Sequence, residues 1–120
     1  MKKIIIAGSR DFNDYMLLCK VMDDYLEYER ELSYVTIISG TARGADQLGE
    51  RYAKERGLDL LCMPADWNRH GKSAGYKRNE EMARIATECV VFFDGVSKGT
   101  GHMLKLAEKY NLPVKLTLFK

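Results

Sequence analysis

Residues 4–11 read Ile4-Ile5-Ile6-Ala7-Gly8-Ser9-Arg10-Asp11, an unbroken apolar run that stops at a glycine and turns polar. A run without polar alternation suits a strand covered on both faces, as in parallel sheets. The same pattern recurs outward along the chain. Val35-Thr36-Ile37-Ile38 is β-branched and ends at Ser39-Gly40. Leu58 to Met63 stops at Pro64, and Cys89-Val90-Val91-Phe92-Phe93 runs into Asp94-Gly95. Between these runs the period changes to that of a helix. Tyr15, Leu18, Cys19, Met22 and Leu26 predict a helix over 14–31. Ala45, Leu48, Gly49, Tyr52 and Ala53 predict a second, with Gly57 as its stop. Residues 76–87 predict a third, with Met82, Ile85 and Ala86 facing inward. Met103, Leu106, Ala107 and Tyr110 mark a fourth, ended by Asn111 and Pro113. Val114 to Phe119 alternates as an edge strand does. Residues 64–75 carry neither period and read as a long irregular loop, which in a compact domain is often functional. The order βαβαβαβαβ implies an α/β, Rossmann-like three-layer domain. Its sheet is expected to be five-stranded and mostly parallel, with helices on both faces. Right-handed crossovers then favour strand order 3-2-1-4-5.

A chain of 120 residues fits one domain and leaves no room for a separate catalytic one. The apolar share of 46% and charged share of 30% are ordinary for a globular protein. A net charge of +2 gives no support to strong non-specific DNA binding, which needs a concentrated basic surface. Cys19, Cys62 and Cys89 are far apart, odd in number and set in apolar stretches, so they read as buried free thiols. With only His70 and His102 and no close cysteine pair, a zinc site is not expected. Met1-Lys2-Lys3 leads into four apolar residues, too few for a signal peptide, and no run approaches a membrane span. The expected compartment is reducing and cytoplasmic.

Three segments follow strands 1, 2 and 4 directly: Gly8-Ser9-Arg10-Asp11; Ser39-Gly40-Thr41-Ala42-Arg43-Gly44-Ala45-Asp46; and Asp94-Gly95-Val96-Ser97-Lys98-Gly99-Thr100-Gly101. In the expected order these strands are neighbours, so the loops meet at one sheet edge. That edge holds the switch point between strands 1 and 4, where open parallel sheets bind ligands. Glycine lets backbone approach a ligand closely. The helix that each loop opens has unpartnered first amides, which favour an anion. Ser9, Ser39, Thr41, Ser97 and Thr100 add hydroxyls, while Arg10, Arg43 and Lys98 add positive charge. Asp11, Asp46 and Asp94 either accept from ribose hydroxyls or cap helices; both readings stay open. One glycine-rich loop is weak evidence, since tight strand-to-helix turns need glycine anyway; three on one edge point to a pocket. Arg78, with Asn79, reads as lying at the start of helix 3, where a cation opposes the dipole. Either Arg78 reaches into the pocket for a phosphate, or it is solvated and paired with Glu80 or Glu81. Trp67, His70 and Lys72 are ambiguous; Trp67 fits a core or interface anchor before a base-stacking platform.

Four motifs carry a family resemblance: GSRDF (8–12), SGTARGAD (39–46), PADWNRHGKSAGYKRNEEM (64–82) and DGVSKGTGHM (94–103). Together they resemble the YspA/YpsA-related branch of the SLOG superfamily. The resemblance implies a Rossmann-like fold and binding of nucleotides or nucleotide-derived ligands. The motifs are also similar to those of the lonely-guy phosphoribohydrolases, which cleave the N-glycosidic bond of nucleoside monophosphates. Arg78 and Met82 match that family's arginine and methionine, and Gly99-Thr100 its Gly-Thr. The catalytic glutamate position, however, holds Met103, and Val96-Ser97 replaces a glycine pair. Methionine cannot act as acid or base; Asp94, Asp46 or Asp11 would have to supply a carboxylate. SGTARGAD further resembles the SG-x-ARG-x-D segment of the DNA-processing protein A family, which binds single-stranded DNA.

The first expectation is a binding module that senses or sequesters a nucleotide-like ligand, such as an ADP-ribose derivative or a nucleoside phosphate. Gly8, Ser9, Arg10, Asp11, Ser39, Gly40, Thr41, Ala42, Arg43, Gly44, Asp46, Arg78, Asn79, Asp94, Gly95, Ser97, Lys98, Gly99 and Thr100 are its expected binding residues. The alternative is a nucleotide-processing hydrolase, with Arg78 and Asp94 as catalytic candidates. A third is a single-stranded nucleic-acid binder, whose affinity would fall steeply with salt. No cofactor is expected, although Mg2+ could accompany a phosphate ligand. The resemblance implies a homodimer or higher homo-oligomer, paired through helices beside the pocket.

Overall fold

A computed structural model describes residues 1–120. Five strands, β1 (Lys2–Gly8), β2 (Val35–Ser39), β3 (Asp59–Cys62), β4 (Glu88–Phe93) and β5 (Val114–Leu118), form one sheet in the order β3-β2-β1-β4-β5. All neighbours are parallel; Ile4 sits opposite Ile37 on one side and Glu88 on the other. The expected α/β architecture and strand order are those of the molecule.

The helices are α1 (Tyr15–Tyr25), α2 (Ala45–Arg56), the one-turn α3 (Trp67–His70), α4 (Ala74–Ile85) and α5 (Lys98–Lys109). Successive strand residues point to opposite faces, and the core divides accordingly. Ile4, Ile6, Val35, Ile37, Val90 and Phe92 pack under α1 and α2, against Leu18, Met22, Tyr52 and Ala53. Ile5, Ala7, Ile38, Cys89 and Val91 pack under α4 and α5, against Met82, Ala83, Met103 and Leu106. The central strands are buried on both faces, which is why they read as unbroken apolar runs.

Several boundaries depart from the sequence reading. Helix α1 stops at Tyr25, not at 31, because Leu26 is the last residue on its face to find the core and none of 27–31 is buried. Residues 64–75 are not irregular throughout. The Asp66 carboxylate accepts from the Arg69 amide at 3.1 Å and caps α3, a 3-10 turn covers Gly71–Ser73, and α4 begins at Ala74. One turn is too short to leave a period in sequence. In α4 the inward stripe is Asn79, Met82 and Ala83, and Ile85 is 39% exposed, one step out of phase. Of the three free thiols only Cys89 is buried. Cys62 is exposed, because β3 is an edge strand. No helix is long and apolar enough to cross a membrane.

Candidate functional site

The three loops converge. A cleft of about 390 Å³ opens at the carboxyl ends of β1, β2 and β4, the switch point of the sheet. Gly8, Ser9, Arg10 and Asp11 line it from the first loop, Ala42, Arg43 and Asp46 from the second, and Ser97, Lys98, Gly99 and Thr100 from the third. Helix α4 adds Arg78, Asn79 and Met82. Ala7 and Met103 complete the wall; Met82 and Met103 are buried and give it an apolar floor. The sequence reading did not place Ala7, Met82 or Met103 among the binding residues. Their position at a strand end and on inward helix faces was the available signal.

Ser9 ties the loops together. Its carbonyl accepts from the Phe12 amide at 3.1 Å and from the Ala45 amide, at the start of α2, at 3.3 Å. Its hydroxyl accepts from the Asp94 amide at 3.1 Å and shares a hydrogen bond with the Ser97 hydroxyl at 3.0 Å. This crossing requires close backbone approach. A Cβ on Gly8 would lie 2.2 Å from the Phe92 carbonyl oxygen. Gly44 has φ +81°, and a Cβ there would stand 2.4 Å from the Ser9 carbonyl oxygen. Gly44 therefore shapes the loop and does not line the cleft.

The second loop is held from inside. Thr41 adopts φ +67°, rare for a β-branched residue, and its amide donates to the Ser39 hydroxyl oxygen at 3.1 Å. Ser39, fully buried, donates to the Glu50 carboxylate at 2.6 Å and lies outside the cleft wall. The Ala42 amide donates to the Asp46 carboxylate at 3.1 Å. Burial pushes the Asp46 carboxyl up to about 6, against the opposing pull of the Ala42 amide and Arg78. Asp46 thus both holds the loop and faces the cleft.

Arg78 lies in the second turn of α4, since the helix begins at Ala74; the argument from an arginine at a helix start falls away. It pairs with neither Glu80 nor Glu81. Its guanidinium donates to the Gly40 carbonyl and, at 2.9 Å, to Asn79 Oδ1. Burial draws its pKa below the ordinary arginine value, with Asp46 opposing and Arg10 reinforcing that shift. Glu80 is held by Arg84 and Lys109 instead.

In the third loop Asp94 accepts from the Val96 amide at 2.9 Å, the Ser97 amide at 2.8 Å and the Ser97 hydroxyl at 2.7 Å. These bonds, the Val96 amide first, hold its carboxyl down at about 2. Asp94 organises the turn and, like Gly95, is absent from the cleft wall. A carboxyl so readily ionised is a poor proton donor near neutral pH. With Ser97 committed to Asp94 and Ser9, no side chain caps the first amides of α5, and no acidic residue lies in its first turn. Gly99 faces open space. This uncapped helix start points into the cleft.

Charge completes the site. Arg10, Arg43, Lys98 and Arg78 all line the cleft, and none is ion-paired. Asp11 and Asp46 are the carboxylates facing them. Gly40 and Thr41 line an adjoining hollow with Pro64, Ala65 and Trp67. Trp67 is 54% exposed, so it is not a core anchor. His70 lies on another face, 3.3 Å from the Lys77 amine through Nδ1. No group of three His, Cys, Asp or Glu side chains is placed to hold a metal ion.

Fold and site together define a doubly wound α/β domain with a cation-lined cleft over an open helix start. The chain belongs to the YspA, cpYpsA-related SLOG family, whose sequence model matches residues 2–70. It is 35% identical over 120 residues to the Gene 61 protein of Mycobacterium phage D29, across 95% of this chain and 94% of that protein. Among solved structures it is similar to DNA processing protein A from Helicobacter pylori, a single-stranded DNA-binding protein. That match has TM-score 0.67 and 17% identity over 96% of this chain and 64% of that one. It is also similar to a Pyrococcus horikoshii translation initiation factor, eIF-2B, with TM-score 0.61 and 13% identity over 98% of this chain and 39% of that one. At these identities both likenesses concern the fold.

Proposed function

We propose that this protein binds a phosphate-bearing, nucleotide-derived ligand, such as an ADP-ribose derivative or a nucleoside phosphate, and so senses or sequesters it. One observation carries the reading: the uncapped start of α5 opens into the same cleft as four cationic side chains free of ion pairs. Peptide amides at a helix start attract an anion through hydrogen bonds and the helix dipole. Arg10, Arg43 and Lys98 would neutralise its charge, Arg43 and Lys98 from exposed positions able to close on a phosphate. Membership of the SLOG family supports a nucleotide-related ligand. A thermal-shift series tests this, because a ligand that binds only the folded state must stabilise it. ADP-ribose and nucleoside monophosphates should raise the melting temperature with concentration, and the matching nucleosides without phosphate should not. Equal response to phosphorylated and unphosphorylated forms would refute the reading.

A second reading, hydrolysis of an N-glycosidic bond, rests on Asp46, a cleft carboxyl that burial pushes up to about 6. Such a group can exchange a proton near neutrality. Against it, buried Met103 stands where the related hydrolases carry a carboxylate. Binding alone predicts no free base after incubation with nucleoside monophosphates or ADP-ribose. Base release abolished by Asp46→Asn would favour the enzyme. For assembly we propose a homodimer, to be checked by light scattering.

A further inference from the structure

The main cleft continues past Arg43. A second hollow of about 500 Å³ adjoins it, and the two share Arg10, Ala42, Arg43 and Arg78. Both volumes lie within the roughly 300–1,000 Å³ of small-molecule sites. Pro64, Ala65 and Trp67 line the second hollow and not the first. Trp67 is anchored but uncovered. It opens α3, which Asp66 caps, and the end of its ring lies against Gly75, where a Cβ would be 3.7 Å from Cη2. Yet Trp67 is 54% exposed, while the large aromatics Phe12 and Tyr52 are 2% exposed.

A single exposed tryptophan means little alone. Here it lines a hollow together with the arginines of the phosphate cleft, and an indole is a flat, rigid apolar surface. We propose that Trp67 is the stacking wall for the heterocyclic base of the ligand. The ligand is then an intact nucleoside phosphate lying across both hollows, not an inorganic anion or a bare sugar phosphate. Its phosphate sits at the start of α5, the sugar passes Arg10 and Arg43, and the base covers Trp67. This rests on the phosphate reading of the main cleft. Stacking tolerates any base, because each has a π face, and a purine covers more of the indole than a pyrimidine does.

Trp67 is the chain's single tryptophan, so its emission reports on the hollow directly. The test titrates AMP, ADP-ribose, ribose 5-phosphate and inorganic pyrophosphate into the wild-type protein, Trp67→Phe and Trp67→Ala. Emission is followed where tryptophan is present, and affinity is measured by calorimetry throughout. AMP and ADP-ribose should quench Trp67, and ribose 5-phosphate should bind without doing so. Trp67→Ala should weaken AMP roughly 5- to 150-fold, leave ribose 5-phosphate unchanged, and be partly rescued by Trp67→Phe. The base subsite alone is refuted if ribose 5-phosphate binds as tightly as AMP, or if Trp67→Ala weakens both equally. It is likewise refuted if emission shifts with protein concentration in the absence of ligand, since a second copy then covers the indole. Failure of every probe to bind overturns the phosphate reading as well.

Discussion

Asp46→Asn should change how the stability of the protein depends on pH. In the folded chain burial pushes this carboxyl from the ordinary aspartate value of 3.8 to about 6. Below about pH 4 both folded and unfolded forms carry the proton. Between about pH 4 and 6 the unfolded chain ionises while the folded one still holds it, so the folded state binds more protons and stability falls as pH rises. Above about 6 both forms are ionised and the loss is complete. Two pH units at about 1.4 kcal/mol each set the loss at about 3 kcal/mol, taken as an order of magnitude. Asparagine keeps the acceptor that Asp46 offers the Ala42 amide at 3.1 Å and cannot ionise. Urea unfolding of both proteins across pH 4–8 isolates the effect, because every other titrating group is common to the pair. The stability of the wild type relative to Asp46→Asn should drop by about 3 kcal/mol across pH 4–6 and then level off. A difference that stays constant over that range would refute the claim that this carboxyl is strained by burial.

Gly44→Ala should destabilise the fold by more than about 2 kcal/mol by chemical denaturation, since φ is +81° and the new Cβ would meet the Ser9 carbonyl oxygen at 2.4 Å. Ser9→Ala should cost about 1–2 kcal/mol, because it strips the Asp94 amide and the Ser97 hydroxyl of a buried partner; amide exchange should quicken first in residues 94–97. Arg43→Gln and Lys98→Gln alter exposed side chains, so melting should hold while calorimetric affinity for ADP-ribose falls about 10- to 100-fold in each. ADP-ribose bound near Asp46 should raise its pKa further, giving net proton uptake at pH 6–7, seen as a dependence of the binding heat on buffer ionisation enthalpy.

Sequence alone determined the architecture. Ile4–Ala7 and Cys89–Phe93 are apolar at every position, and Val35–Ile38 at all but Thr36, because parallel strands are covered on both faces, and the intervening periodicity names the helices. Chirality then left little choice of strand order. The convergence of the loops after β1, β2 and β4 followed from that order. What each loop residue does was decided only in three dimensions. Asp46 and Asp94 are the same residue type, each close to a helix start. One is buried beside Arg78, where its carboxyl rises; the other takes three hydrogen bonds in its own turn, where it falls. Arg78 turned to the Gly40 carbonyl because α4 begins four residues before it, and a one-turn cap at Asp66 leaves no period to read. Periodicity reports which side of an element meets the core. The partners of a polar side chain come from segments distant in the chain, and only their packing brings them together.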